Sequence, residues 1–308
     1  MTTLTTTQPL TEDYESLVSA ASRDEWLKAR KSGVGASESA VLTGASKWGS
    51  AIGLWGIKTG RLPDVDLDDN ERVMWGQRLE PLVAEEYERR TGRKLLQWGW
   101  LLRSKLVPFM LATPDYRLAD EPGIPVEIKT TDGTRIKDWQ DGAPAHVNIQ
   151  CQHQMFVTGA PRASVGVLVG GNRFMWCDVD RDEAVIREIV EASRAFWQYV
   201  VDDAPPPADA SEATSEAIAK LWPVTAVGET VVLPVDAYDW ARDLDTAKGE
   251  AKILKDRIDG IENVLKAAIG GAELGLYPDG TKAFTLRTQK RSGYTAAPAE
   301  YRVLRRSK

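Results

Sequence analysis

Asp115, Glu127 and Lys129 are the residues of this chain whose types and spacing best suit chemistry. They lie in the stretch TPDYRLADEPGIPVEIKT, Thr113 to Thr130. An acid ends an apolar run, Asp120-Glu121-Pro122-Gly123 supplies a turn, and Val126-Glu127-Ile128-Lys129 reads as a short strand. Strand side chains alternate faces, so Glu127 and Lys129 point one way while Val126 and Ile128 point toward a core. If residues 124–130 pair with 109–112 as a hairpin, Asp115 reaches the same edge, and two carboxylates and a lysine converge. Carboxylate oxygens suit a hard divalent cation, and the backbone carbonyl of Ile128 offers another oxygen. Phosphodiester hydrolysis uses these parts: cation charge at the developing oxyanions, a nucleophilic water, and a lysine to orient it or stabilise charge. An acid, a turn and E-x-K alone are only moderately specific, because charges alternate on many exposed strands.

Other elements must position this edge. Ser22-Arg-Asp-Glu25 is a capping-box pattern that starts a helix near Asp24, ending near Lys31-Ser32-Gly33. The turn Gly33–Ser37 leads into a second helix beginning at Glu38; its free N–H groups could take an anion, although a Gly/Ser entry is more often merely a turn. Ser50–Thr59 reads as an amphipathic helix, followed by an acidic loop from Arg61 to Asn70. Glu71–Thr91 is a long helical pattern stopped by Gly92. It carries Glu80 among Trp75, Leu79 and Leu82, an apolar setting that favours a partly buried, functional carboxylate over a solvated one. Residues 95–102 and 106–112 read as strands. A helix over 144–157 places Val147, Cys151, Met155 and Gln154 on one face, with Gln150 and His153 as neighbours expected on a wet face. Residues 163–169 and 173–180 form a hairpin around Gly170-Gly171-Asn172, and a helix over 183–201 follows. This order of elements is α/β or α+β: a mixed sheet with helices packed on it.

The 308 residues suffice for one sizeable domain plus an accessory region. Pro205-Pro206-Pro207 closes the first, giving domains 1–207 and 208–308. Apolar content of 43% and charged content of 27% are those of an ordinary globular protein, and no apolar run approaches a membrane span. The first seventeen residues are polar and acidic, unlike a signal peptide, and read as loosely ordered. Two cysteines cannot build a disulfide framework or a four-cysteine cluster, and two histidines argue against a histidine-rich metal site. A reducing cytoplasm is therefore expected. The net charge of −6 excludes a generic nucleic-acid coat but not a local basic groove. Ala272–Lys308 holds eight bases against three acids, and Arg302, Arg305 and Arg306 at its end are candidate DNA-backbone contacts.

Within the second region, a helix over 235–269 has Leu244, Ala247, Ala251, Leu254, Ile258, Ile261, Leu265 and Ala268 in a heptad pattern. Such a stripe needs a partner. Packing on the same subunit is the expectation, and an intersubunit coiled coil the alternative. A hairpin over 274–277 and 282–287 follows.

Four blocks resemble the YqaJ-type viral recombinase group of the lambda-exonuclease family, within the PD-(D/E)XK nuclease superfamily. They are GVGASESAVLTGAS (33–46), WGQRLEP (75–81), PFMLATPD with VEIKT (108–115, 126–130) and NIQCQHQMFVTG (148–159). Their order and spacing match over residues 20–205. The resemblance implies a PD-(D/E)XK core, a mixed sheet flanked by helices, and Mg2+-dependent 5′-to-3′ digestion of linear duplex DNA. Two ions are implied, with Mn2+ able to substitute. It assigns Asp115 and Glu127 to metal and Lys129 to the nucleophilic water. Glu80 joins the metal shell directly or through water, and Gln150 stands beside the centre. Arg30, Ser37 and Thr113, the last replacing a serine, match positions that hold a terminal 5′-phosphate. Many superfamily members carry tyrosine four residues after the motif glutamine, where this chain has Gln154. The family further implies a ring-shaped trimer or tetramer, a single-strand-annealing protein as partner, and a phage protein at work in the bacterial host cytoplasm. A related endonuclease or single-strand nuclease, and an inactive DNA-binding module, stay open as alternatives.

Overall fold

The computed structural model describes residues 13–64, 70–224 and 228–290. The chain divides into two compact units, Met1–Pro223 and Val224–Lys308. The elements of the first begin with β1 (Tyr14–Ser19), α1 (Arg23–Arg30), β2 (Val34–Gly35), α2 (Ala36–Leu42), α3 (Ala51–Lys58) and α4 (Glu71–Thr91). Four strands follow: β3 (Leu95–Gln97), β4 (Trp100–Ser104), β5 (Met110–Ala112) and β6 (Tyr116–Leu118). Then come β7 (Pro125–Thr131), a 3-10 turn (Gly133–Trp139), α5 (Ala145–Thr158), β8 (Arg162–Val169), β9 (Arg173–Asp180), α6 (Glu183–Val201) and α7 (Glu212–Leu221). The second unit holds α8 (Ala237–Ile269) and a hairpin of β10 (Leu274–Leu276) and β11 (Lys282–Thr285).

The fold is mixed α+β, as expected. One sheet has the order β3-β6-β7-β8-β9 and the other β1-β4-β5-β2. The first is antiparallel except for the parallel pair β7/β8, which α5 connects as a crossover. α4 and α5 cover it: Val83, Tyr87, Cys151 and Met155 share one core with Val126, Ile128, Val165 and Val167. α5 also packs on the second sheet, so Val157 lies in another core with Leu102, Met110 and Ile189 of α6. Wedged between two sheets, α5 buries most of its second half, while His146 and Gln150 stay half-buried on a cleft. Gln152, His153 and Gln154 are all buried: Gln154 lies with the apolar face as expected, whereas His153 was expected on a face in water. Burial requires partners for polar groups. Gln152 Nε2 donates to the carbonyl of Asp180 (2.8 Å), and His153 Nδ1 shares a 2.6 Å hydrogen bond with the Ser39 hydroxyl.

Other expectations also need correction. Tyr14–Ser19 is not loose chain but a strand paired with β4. Residues 95–102 are two strands, β3 and β4, which break at Trp98-Gly99 and enter different sheets. The partner of β7 is β6, not residues 109–112, since β5 pairs with β4 and β2. Ser22 is the N-cap of α1 but makes no side-chain capping bond. The first unit continues past Pro207, because α7 packs on α3. Gly56 permits this approach: a Cβ there would lie 3.1 Å from Leu221 Cδ2. No residue of α8 is buried, so its heptad stripe does not pack within its own unit. Arg302, Arg305 and Arg306 lie outside the described residues.

Candidate active site

The site is built on β7. Alternation sends Val126 and Ile128 into the core and turns Glu127 toward α5, where two glutamines meet it. Gln150 Nε2 donates to Glu127 Oε1 and Gln154 Nε2 to Oε2, both at 2.6 Å. They lie one turn apart on α5, the i, i+4 spacing that stacks two side chains on one face. Lys129 Nζ sits 2.5 Å from Glu127 Oε1, with 30% of its side chain exposed against 3% for Glu127. Asp115 follows β5 at the point where the chain leaves one sheet for the other. Its Oδ2 accepts the N–H of Ile128 at 2.9 Å, which fixes it beside the Glu127–Ile128 peptide. Glu80, from the middle of α4, is hydrogen-bonded by the Tyr116 hydroxyl and lies within electrostatic reach of Glu127 and Lys129.

The electrostatics are those of crowded acids. Burial pushes the Asp115 carboxyl well above the usual carboxylate range, and Glu127 and Glu80 push it further, against Lys129 and the Ile128 N–H. Burial likewise raises Glu80, with Glu127 adding to the shift and Tyr116 and Lys129 opposing it. Tyr116 rises to about 12 through burial and the nearby Glu80. Burial alone would lower Lys129; Glu127 and Asp115 outweigh it, so its ammonium holds its proton more tightly than usual.

These residues fit a hard divalent cation in charge and donor type. Three carboxylates face one lysine, and all the donors are oxygens. Glu127 already accepts three hydrogen bonds, but its oxygens have about four lone-pair positions. Among the described residues no three acidic, histidine or cysteine side chains close to ligand spacing, so the acids surround a place for the ion without forming a finished cage.

A second polar group lies at the end of α1. Arg30 stacks over the Trp26 ring, 4.8 Å from its centroid, and Trp26 Nε1 donates to Thr113 Oγ1 at 3.2 Å. Arg30 Nη2 also pairs with Glu38 at 3.0 Å. Glu38 binds Lys58 Nζ at 2.8 Å and accepts the N–H of Gly35 at 2.6 Å. Lys58 is buried and donates in addition to the Arg30 carbonyl at 2.8 Å. Burial pushes the Glu38 carboxyl up, yet Lys58, Arg30 and the Gly35 N–H outweigh it and hold it below the usual range. Burial draws Lys58 below the usual ammonium range, helped by Arg30 and opposed by Glu38. Gly33 makes this turn feasible, since a Cβ there would fall 2.3 Å from the Phe109 carbonyl.

Ser37 is exposed and lines a cleft of about 1020 Å3 together with Lys129 and Gln150. Trp48, Trp75, Arg72 and Arg135 form other parts of its wall. Trp48 meets His146 edge-on at 5.1 Å, and Arg135 lies 5.7 Å over its ring.

The structure thus brings Glu80, Asp115, Glu127, Lys129 and Gln150 to one centre. It joins Arg30 to Thr113 through Trp26, and places Ser37 on the same cleft as Lys129. Sequence reasoning gave no part to Trp26, Lys58 or Tyr116. Trp26 had a readable signal, its position four residues before Arg30 on one helix. Lys58 ends an otherwise apolar helix and gave none.

Comparison with known proteins follows the same stretch. Residues 25–161 match the model of the YqaJ-like viral recombinase domain. The uncharacterized protein YqaJ of Bacillus subtilis (strain 168) is 33% identical over 261 residues, covering 83% of this chain and 81% of its own. An alkaline exonuclease (LHK-Exo) from Laribacter hongkongensis is a structural neighbour at TM-score 0.48 and 22% identity, covering 65% of this chain and 100% of that one. A phage related exonuclease from Haemophilus somnus 129PT aligns at TM-score 0.42 and 14% identity, over 56% of this chain and 96% of its own.

Proposed function

This chain belongs to the YqaJ-like viral recombinase family, and on that premise we propose that it is a Mg2+-dependent exonuclease that digests linear duplex DNA from its 5′ ends. The observation that carries the reading is the convergence of Asp115, Glu127, Lys129 and Gln150, with Glu80 within electrostatic reach, beside an open cleft. Asp115, Glu127 and the Ile128 carbonyl would hold Mg2+, one ion or two, with Glu80 bound directly or through water. When bound, the cation supplies charge to the scissile phosphate and acidifies a water.

The chain's own groups do the rest. Lys129, whose ammonium Glu127 and Asp115 favour, would orient the attacking water or face the charge growing on the phosphoryl oxygens. Gln150 and Gln154 fix both oxygens of Glu127, so that acid does not swing when substrate enters. Arg30, braced by Trp26 and Glu38, would grip the terminal 5′-phosphate with Ser37 and Thr113. The tryptophan and arginine wall suits bases and phosphates of the strand. The product would be a 3′ single-stranded overhang, ready for an annealing protein.

The test is a linear duplex with one 5′-phosphorylated and one 5′-hydroxyl end, in Mg2+ or in EDTA. Nucleotides should be released only with Mg2+, first from the phosphorylated end. Lys129→Ala and Asp115→Ala should release almost none. Normal release by either variant would sink the proposal, and cutting of relaxed circular duplex would replace it with an endonuclease.

A further inference from the structure

We infer that α8 is a self-association seam, pairing in parallel with α8 of a second copy of this chain. The helix runs for 33 residues with none of them buried. Leu244, Leu254, Ile258 and Ile261 are exposed large apolar residues. They fall on one stripe with Ala237, Trp240, Ala247, Ala251, Leu265 and Ala268, in unbroken three-four spacing over the whole helix. That is the a/d pattern of a coiled coil. Such a stripe alone leaves the occupant open. The flanking charges identify it.

With Leu244 as an a position, the g positions are Asp243, Glu250, Arg257 and Val264. The e positions five residues later are Lys248, Lys255, Glu262 and Ile269. In a parallel pair of identical helices each g residue meets the following e residue of its partner. The meetings are then Asp–Lys, Glu–Lys, Arg–Glu and Val–Ile. Three are opposite in charge and the fourth is apolar, so a second copy is matched along the whole seam. In an antiparallel pair, g would meet g and e would meet e. The register that sets Glu250 against itself then puts like charges together at its centre. Lys255 and Glu262 make i, i+4 pairs with Asp259 and Lys266 along their own helix. Those contacts are exposed and weak, and a neighbouring helix can replace them. Nuclease activity is not a premise of this seam.

The experiment uses the full chain. Sedimentation velocity should give a mass above that of one chain, and a monomer at about 10 μM, a concentration that a specific seam should saturate, overturns the inference. Ala247→Cys, at a d position, should oxidise to a cross-linked dimer, because parallel pairing sets residue 247 against itself. Asn263→Cys, on the outer face, should not cross-link, and the unaltered chain, with Cys151 buried and Cys177 half-buried, is the control. Failure of Ala247→Cys to cross-link, or equal cross-linking by Asn263→Cys, removes the parallel seam. Lys248→Glu with Lys255→Glu should weaken association roughly tenfold or more, each changed pair counting twice. Asp243→Lys with Glu250→Lys should do the same, and mixing the two variants should restore it. An oligomer indifferent to both double variants assembles through another surface, and the inference fails.

Discussion

Replacing Gln154 by Met separates holding the site from holding the fold. Gln154 is wholly buried, and its Nε2 donates to Glu127 Oε2 at 2.6 Å. Its other end, Oε1, is buried with no hydrogen-bond partner. Glu127 fixes this orientation, because turning the amide over would aim a carbonyl at a carboxylate. Gln154→Met therefore changes two terms of opposite sign. Losing a hydrogen bond to a charged group costs about 1.5–3 kcal/mol, and removing an unsatisfied buried carbonyl returns about 1–3 kcal/mol. Met conserves the volume, so no cavity is added. Stability by urea unfolding should thus change by no more than about 2 kcal/mol. Glu127, however, loses one of the two glutamines that set its position. If that bond is needed in the transition state, 1.5–3 kcal/mol corresponds to a fall in kcat/KM of roughly ten- to hundredfold. The assay is release of nucleotides from 5′-phosphorylated linear duplex at saturating Mg2+, with folding checked in parallel. A variant destabilised by more than about 4 kcal/mol yet fully active per folded molecule would refute this account and make Gln154 a packing residue.

The other predictions concern the supports of the site. Lys58→Met leaves Glu38 buried with one cation fewer and should cost about 3–5 kcal/mol. Combined with Glu38→Gln it should cost less than the two single changes summed; strict additivity in urea unfolding would deny the coupling. Asp115 and Glu80 have carboxyls raised above their unfolded values, so the metal-free fold binds more protons than the unfolded chain. Its stability from these groups is full below the ordinary range near about 4 and is lost as pH rises through the raised values. Mg2+ requires the ionised acids, so its affinity should tighten, and its thermal stabilisation grow, as pH rises through those raised values. Calorimetric binding independent of pH would contradict that. Truncation after Ala299 removes Arg302, Arg305, Arg306 and Lys308 and should flatten the salt dependence of duplex binding by up to about 3.6 in log–log slope. An unchanged slope excludes those contacts.

What sequence could and could not reveal follows from the forces involved. The E-x-K strand was legible because its period of two is imposed by the backbone. α4, α6 and the β8–β9 hairpin were legible because one face of each is apolar and their ends carry glycine, asparagine or aspartate signals. α5 misled because its second half is buried on nearly every side, and no pattern of period distinguishes a buried histidine or glutamine from a wet one. Lys58 went unread for a related reason. A lysine in the last turn of a helix is ordinarily a solvated charge favoured by the dipole, and only the distant Glu38 makes it a buried one. α7 fell within the second region by sequence, and its fit against Gly53 and Gly56 of α3 makes it part of the first unit.

The hardest feature to foresee is also the one that unifies the site. The strand before Asp115 and the strand after it belong to different sheets, so the acid stands where the chain crosses from one to the other. Thr113 and Asp115 are separated by Pro114 alone. Thr113 is bonded to Trp26, and through it to Arg30; Asp115 is bonded to the amide of the E-x-K strand. Two residues span at most about 7 Å, and proline fixes one of the dihedrals between them. The group that would grip a strand end and the group that would hold the cutting ion are therefore tied by one short, stiff connector. α5 closes the arrangement from the other side, with Gln150 and Gln154 on Glu127 and His153 on Ser39 of α2. Spacing between these two groups is set by covalent chain and by part-buried and buried hydrogen bonds. This is the condition for removing a fixed increment from a strand end at each step.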